Sequence, residues 1–424
     1  MPRLSHALSG LALVATSVPA LAEELTLEQR LAAAEERLAS LETRKSEAPK
    51  VAINGFITFA MEKSSKVEDA AGNDLSYLDE VDADGWNLNR LTRAGLQFNS
   101  KISDKAEAVV QLLGRASDDF NVDVQWAYVG YDLTPDLTAR AGRFVLPFYL
   151  HSQYTQVGYA YPWIELPSEQ YSVISLDTME GIDLTWQTHT GDISHSVNVF
   201  WGGMQVDDAT NDTTFDVQNQ HGINIRSEWG NWSGWYSFSN SEVTLDLSNV
   251  GVPTPPGPFT TLGMDKHYAY FTGLGLQYDN GSLFAMAERG RLNLSTPFDW
   301  FPQLDSGYVT VGYRYGKWTP HLTWATIDHS NTSDVDASGI PIPPTNIDAA
   351  FALFSTYAER QKSWTLGTRY DLAPGIALKA EATHMYDFGD DDWRTQGLFS
   401  GAPGSGTPDK GEPWVYRLAV ESVF

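Results

Sequence analysis

The chain closes on Pro413-Trp-Val-Tyr-Arg-Leu-Ala-Val-Glu-Ser-Val-Phe424, which alternates in character from residue to residue. Successive side chains of an extended strand point to opposite faces. One face carries mostly apolar side chains, namely Tyr416, Leu418, Val420, Ser422 and Phe424. The other face carries side chains of both charges, in the set Arg417, Ala419, Glu421 and Val423. This is the pattern of a strand with lipid on one side and water on the other.

A strand of this kind that ends on a phenylalanine resembles the closing strand of Gram-negative outer-membrane β-barrels. From these residues outward the chain resembles the trimeric porins over essentially its whole mature length. The resemblance implies a homotrimer in the cell outer membrane, in contact with its lipids and lipopolysaccharide and open to small hydrophilic solutes. It also implies that Phe424 acts as an assembly signal.

The start of the chain has the pattern of a secretory signal peptide over residues 1–22. Arg3 is followed by an apolar run at 8–18 and by the small-x-small sequence Ala20-Leu21-Ala22. The run is too short to cross a bilayer, and no later stretch reaches the roughly 20 apolar residues of a membrane helix. The 424 residues contain no cysteine, so disulfides cannot hold the fold. We therefore expect a barrel over 51–424 that closes its own backbone hydrogen bonds.

Residues 23–50 predict a short helix and a linker that ends near Pro49. Apolar residues recur there at heptad spacing: Leu27, Leu31, Ala34, Leu38 and Leu41. A helix of two to three heptads is marginal alone, so its seam favours a periplasmic coiled coil on a trimer axis. The alternative is a single helix lying against the periplasmic rim of the barrel.

From residue 51 onward, alternating segments are separated by connections that are alternately short and long. Seven short turns rich in Gly, Asn, Asp and Pro and eight long loops join sixteen strands. The predicted strands are 51–63, 88–102, 105–115, 122–133, 137–146, 179–189, 193–202, 220–229, 232–242, 264–279, 282–292, 304–315, 318–328, 356–371, 376–388 and 413–424. The fold class is an all-β transmembrane barrel with both ends of the strand array on the short-turn, periplasmic side.

Aromatic residues gather beside the short turns, as in the girdle of a membrane barrel. They are Tyr131, Trp186, Trp229, Trp232, Tyr278, Tyr315, Trp318 and Tyr370. A barrel of sixteen to eighteen strands leaves an aqueous channel, so the strand count itself indicates diffusion of small solutes.

The third long loop, from Pro147, is rich in aromatic residues, whereas the loops at 64–87 and 329–355 are rich in Asp, Asn, Gly or Pro. Aromatic surface exposed to water is unfavourable by about 25 cal/mol per Å². The resemblance to porins implies that this loop folds into the lumen and narrows it; the alternative is an external cap. The expected pore-facing residues of the loop are Tyr154, Tyr159, Tyr161, Trp163, Glu165 and Glu169.

The opposing wall follows from strand parity, because a charged side chain that faces lipid near the midplane costs roughly 2–4 kcal/mol. The predicted lumen-facing residues are Arg93, Arg143, Arg226, Arg314, Arg369, Lys379 and Arg417, with the acidic Asp183, Glu381 and Glu421. Arg140 and Arg143 differ in parity, so at most one of them faces inward without a bulge. The basic wall alone suggests anion preference and the loop carboxylates suggest the reverse, so the sequence leaves ion selectivity open.

A formal charge of −26, much of it in the long loops, argues against nucleic-acid partners and for solvated surfaces. Glu80, Asp82 and Asp84 begin like a calcium loop, but no carboxylate stands at the closing position, so we expect neither metal nor cofactor. No hydrolase elbow or phosphate-binding loop occurs, which argues against an enzyme. The main prediction is a passive porin. The alternatives are a channel selective for dicarboxylates, phosphate or sugars and, more distantly, a barrel enzyme or adhesin.

Overall fold

Sixteen antiparallel strands form one closed barrel in the computed structural model of the protein. The structure describes residues 50–69, 71–78, 80–173, 178–208, 213–246, 263–295, 303–330, 360–388, 397–400, 408 and 412–424. The predicted signal peptide and coiled-coil helix lie outside the described residues. Among those described, none of the helices is long and apolar enough to cross a bilayer.

Each barrel strand pairs with its neighbours in sequence, and β1 closes the ring against β18. The barrel strands are β1 (Lys50–Ser64), β3 (Arg93–Lys101), β4 (Ala106–Arg115), β5 (Val122–Thr134), β6 (Leu137–Val145), β7 (Thr178–Thr190), β8 (Ile193–Asp208), β9 (Thr213–Trp229), β10 (Trp232–Asp246), β11 (Gly263–Asp279), β12 (Leu283–Leu294), β13 (Gln303–Tyr313), β14 (Trp318–Ser330), β15 (Gln361–Ala373), β16 (Ile376–Tyr386) and β18 (Trp414–Val423). A separate two-stranded sheet joins β2 (Ser76–Tyr77) to β17 (Phe399–Ser400).

The prediction of sixteen strands is confirmed, and the differences lie at the ends of strands. The predicted long loop at 203–219 is largely strand, because β8 continues to Asp208 and β9 already begins at Thr213. Residues 88–92, predicted as strand, precede β3 instead. Beyond the lipid band no alternation of apolar and polar residues is required, so the sequence pattern no longer marks the ends of strands.

The closing strand has the predicted alternation. Tyr416, Leu418 and Val420 are each about 45% exposed on the outer face, whereas Arg417 and Glu421 are at most 4% exposed on the inner face. At the seam, Gly55 and Phe424 exchange two backbone hydrogen bonds of 2.8 and 3.0 Å. A Cβ at Gly55 would lie 2.3 Å from the Phe424 ring, so glycine is needed there to seat the terminal side chain.

Exposed aromatic side chains ring the outside of the barrel beside the short turns, as predicted. Tyr131, Trp186, Trp229, Trp232, Tyr315 and Trp318 are exposed, and two of these rings pack on the partly exposed Tyr278 and Tyr370 of adjacent strands. Trp201, Trp364 and Trp414 are exposed toward the long-loop end. Two aromatic levels on an otherwise apolar exterior are typical of a barrel embedded in a bilayer.

The first loop, residues 65–92, covers part of the long-loop end of the barrel. Its small sheet with β17 buries an apolar cluster that comprises Val67, Leu75, Tyr77, Val81, Met385, Phe388, Leu398, Phe399 and Val415. Tyr77 donates a hydrogen bond of 2.8 Å from its hydroxyl to Ser168 of the third loop. The first and third loops are therefore joined to each other above the barrel wall.

Candidate functional site: the third loop inside the barrel

The third loop leaves β6, and its residues 146–173 pack against inward-facing side chains of β1, β3, β9 to β16 and β18. Two short 3₁₀ turns, Ser152–Tyr154 and Gly158–Ala160, and a helical turn, Ser168–Tyr171, shape its described part, 146–173. Most of its aromatic side chains are buried against the wall rather than exposed to the lumen. Burying this apolar surface favours the inward position by the hydrophobic effect.

Lys379 of β16 holds the middle of the loop. Its ammonium donates to the carbonyl oxygens of Gly158, Tyr161 and Trp163 at 2.8, 2.8 and 2.6 Å. It also lies 2.6 Å from the Glu421 carboxylate, and both side chains are fully buried. A Cβ at Gly158 would lie 2.2 Å from Glu421 Oε1, so the backbone approaches this pair as closely as only a glycine allows. A buried charge needs partners of this kind.

A four-membered charge network joins the loop to β1 and β18. Arg90 donates to Glu62 and to Glu165 at 2.6–2.9 Å, and Arg417 lies 2.7 Å from Glu165 and 3.3 Å from Glu62. Burial opposes ionisation of Glu165, but the two guanidiniums outweigh it and lower the pKa of its carboxyl to about 2. Two carboxylates and two guanidiniums leave the network with no net charge.

Further wall residues satisfy the buried polar groups of the loop. Trp163 donates from Nε1 to Thr323 Oγ1 at 2.8 Å, and the Ile164 amide donates to Glu381 at 2.8 Å. Glu288 accepts from the Leu150 amide and the Tyr171 hydroxyl, both at 3.0 Å. Such contacts over many strands fix the loop in one position.

Glu169 lies behind the loop and not in the open lumen. Its carboxyl is 3% exposed and accepts a hydrogen bond of 2.7 Å from Gln361. Burial raises the pKa of this carboxyl above its ordinary value. The expectation that Glu169 faces the pore is therefore wrong: the backbone turn at Ser168–Tyr171 directs it into the wall.

The stretch of the loop left most exposed is residues 153–160, Gln-Tyr-Thr-Gln-Val-Gly-Tyr-Ala. Gln153 and Ala160 are exposed, and Tyr154 and Tyr159 are partly exposed. This stretch contains no charged residue. The loop therefore presents amide, hydroxyl and aromatic groups to the lumen, while its carboxylates are engaged elsewhere.

His151 packs beneath this stretch. It is 4% exposed, and its Nδ1 lies 2.9 Å from the Tyr154 hydroxyl. Burial, helped by the nearby Arg226 guanidinium, lowers the pKa of the imidazole to about 3. Near neutral pH this ring is uncharged and contributes to the aromatic packing of the loop.

The inward position of most predicted wall residues follows from the register. Exposed side chains occupy the alternate positions of these strands and mark the outer face, so the predicted wall residues lie on the inner face. These are Arg93, Arg226, Arg314, Arg369, Lys379, Arg417, Asp183, Glu381 and Glu421. Their accessibility differs. Arg314 pairs with Asp279 beside a short turn, and Arg369 stacks on the Tyr159 ring with its guanidinium carbon 4.2 Å from the ring centroid.

Arg143 does not line the lumen, which corrects the prediction. It is the register partner of Glu180 and forms an ion pair with it on the outer face, two residues from the exposed Ile182. Arg140 takes the inward position and pairs with the buried Asp183. Strand parity allowed either Arg140 or Arg143 to face inward, and the ion pair between Arg140 and Asp183 decides for Arg140.

Several residues of the site were missed by the sequence reasoning. Arg90 was assigned to a strand, although it precedes β3 and bridges Glu62 to Glu165. Glu288 lies at an inward-facing position of β12, and the alternation of inward and outward residues along this strand could have indicated that position. Tyr77 lies far from the third loop in sequence, and no local pattern indicated its contact with Ser168.

Comparisons with known proteins agree with this architecture. A family model described as Gram-negative porin matches residues 7–391. No curated protein matches the chain. Among solved structures, the anion-selective porin from Comamonas acidovorans has a TM-score of 0.54 at 14% identity and covers 89% of this chain and 100% of its own.

Two further solved structures share the fold. The outer membrane channel DcaP of Acinetobacter baumannii has a TM-score of 0.54 at 11% identity, covering 89% of this chain and 97% of its own. OmpF of Salmonella typhi, in complex with daunomycin, has a TM-score of 0.53 at 13% identity, covering 89% and 99%.

Proposed function

This chain belongs to the Gram-negative porin family and forms an outer-membrane channel for passive diffusion of solutes, and we propose that its aperture favours small anions. The observation that supports the preference is the charge-free stretch 153–160, which faces the lumen while Glu165 and Glu169 are withdrawn from it. Channels select ions by the sign of the charges that line the narrow region.

Arg93 supplies positive charge at the edge of the aperture. Its guanidinium donates only to neutral oxygens in the contacts of the described residues, namely the carbonyls of Thr155 and Gln156 and the hydroxyl of Tyr161. In that part of the chain no carboxylate forms an ion pair with Arg93. Its nearest acidic neighbour on the wall is Glu421, which also lies opposite Thr58 and is paired with Lys379. Arg226 adds a partly exposed guanidinium from β9, paired through one nitrogen with Glu228.

The reversal potential of the purified protein in a planar bilayer under a KCl gradient tests this proposal. We expect a reversal potential with the sign that a pore preferring chloride over potassium produces. Arg93→Gln and Arg226→Gln should each move the reversal potential toward potassium, and Arg143→Gln, which removes the same charge from the outer face, should leave it unchanged. A potassium preference of the unmodified protein would show that the acidic long loops dominate.

We also propose a homotrimer whose N-terminal helix, residues 23–48, forms a periplasmic coiled coil. The heptad seam of this helix supports the proposal, together with the outer-membrane family. The exterior of the barrel would then contact membrane lipid and lipopolysaccharide.

A further inference from the structure

A cavity of about 300 Å³ lies between the first loop and the third loop. This volume is at the lower end of the range for small-molecule pockets. Its apolar walls are Leu78 and Leu91 from the first loop and, from the third loop, Phe148, Tyr149, Tyr161, Leu166 and Tyr171. Rings of the third loop pack against each other here, with Tyr149 and Tyr171 centroids 4.9 Å apart. The walls therefore suit a flat apolar body of about one ring.

The charges on the cavity wall favour an anion. The charged lining residues are Arg90, Arg93 and Glu165. Arg90 and Glu165 belong to the neutral network with Glu62 and Arg417, so they add no net charge. Arg93 remains, and its Nε and Nη2 atoms donate to neutral oxygens of the third loop. Its positive charge therefore favours a carboxylate, which can accept a charge-assisted hydrogen bond from Nη1.

Leu78 forms one wall of the cavity in a conformation that leucine rarely adopts. Its φ is +47°, in the left-handed region that favours glycine. The backbone is fixed there by a hydrogen bond of 2.8 Å from the Leu78 amide to the Leu398 carbonyl. Strained positions of this kind often occur at ligand sites, where the surrounding structure maintains them.

We propose that this cavity binds a small aromatic monocarboxylate, with its carboxylate on Arg93 and its ring between Leu78 and the tyrosines of the third loop. Because Thr155 and Gln156 of the exposed stretch also line the cavity, the site lies at the edge of the aperture and concentrates such solutes there. The proposal goes beyond the ion preference; both rest on the charge of Arg93, but binding is measured without current, so either can fail without the other.

Calorimetric titration of the detergent-solubilised full-length protein tests the proposal with three probes. Benzoate should bind saturably, benzamide at least tenfold more weakly because it lacks the charge, and acetate without detectable saturation because it lacks the ring. Equal binding of benzoate and benzamide would overturn the role of Arg93. Saturation by acetate at the same concentration would overturn the aromatic assignment.

Two glycine variants, one at a leucine and one at a phenylalanine, test where the ligand binds. Leu78→Gly removes the apolar wall and relieves the left-handed backbone, so we expect about tenfold weaker benzoate binding without loss of folding. Phe120→Gly is the matched control, because Phe120 also has a positive φ, of +55°, and does not line the cavity. Unchanged binding by Leu78→Gly would overturn the proposal, whereas the reversal-potential experiment would be unaffected.

Discussion

At the scale of single residues, Lys379 shows how a buried charge can fix a loop. Its ammonium has four partners, three loop carbonyls and one carboxylate. Leaving a buried carboxylate without its cation is strongly destabilising. Lys379 of β16 is therefore one of the side chains that fix the position of the third loop.

We predict that Lys379→Met weakens the attachment of the third loop by about 3–5 kcal/mol, since Glu421 and three carbonyls lose their partner. Single-channel recordings should show larger and noisier current steps. Lys101→Met, at an exposed lysine, is the control and should behave as the unmodified protein. Adding Glu421→Gln to Lys379→Met should lower the current noise part of the way to that of the unmodified protein, because it removes the unpaired charge. A quiet current in Lys379→Met alone would contradict this account.

Glu165 gives a pH dependence whose direction follows from its lowered pKa. The folded carboxyl titrates at about 2 and its ordinary value is 4.5, so its ion pairs stabilise the loop above pH 4.5 and lose this effect as pH falls toward 2. Current noise of the unmodified channel should rise over that interval. Glu165→Gln should already be noisy at neutral pH and change less on acidification. Identical pH profiles for the two proteins would exclude Glu165 as the titrating group.

At the scale of elements, the third loop separates residues that anchor from residues that face the solute. The anchoring parts are the aromatic and acidic residues that composition made conspicuous, and the lumen-facing part is the inconspicuous stretch 153–160. The aromatic content of the sequence indicated that this loop is covered, and the resemblance to porins implied that it folds inward rather than forming an external cap. The sequence did not indicate which side chains of the loop remain exposed, because that depends on partners from ten or more other strands.

A new carboxylate in the exposed stretch should change ion preference. We predict that Gln153→Asp moves the reversal potential toward potassium, because the loop would then carry a free negative charge in the lumen. Ser103→Asp adds the same charge at an exposed short turn and should have a much smaller effect. If both variants shift the potential equally, residue 153 does not lie near the narrow region.

At the scale of the whole molecule, the strand array closes on itself within the unit 50–424. The described residues of this unit form sixteen paired barrel strands and the seam between β1 and β18. A two- to three-heptad helix is too short to be stable alone. Its contribution is expected in the association of subunits and not in the fold of each one.

We predict that deletion of residues 23–48 leaves the barrel folded and conducting but lowers the temperature at which oligomers dissociate in detergent. Unheated gels over a temperature series measure this, with circular dichroism as the check on the strands. Leu31→Lys, which places a charge in the heptad seam, should reproduce the effect in the full-length chain. Equal dissociation temperatures for all three proteins would remove the proposed role of the seam.

The sequence by itself determined the strand number and the membrane-facing and lumen-facing sides of most strands. Both follow from local rules, because alternation and turn residues are read within a few neighbouring residues. The aromatic content of the third loop left two positions open, inside the lumen or as an external cap, and its contacts with the wall decided for the lumen. The tertiary structure alone decided that Arg140 and not Arg143 faces the lumen, and that Glu165 and Glu169 are neutralised or buried. These outcomes depend on partners such as Asp183, Arg90 and Gln361, which only closure of the barrel brings into contact.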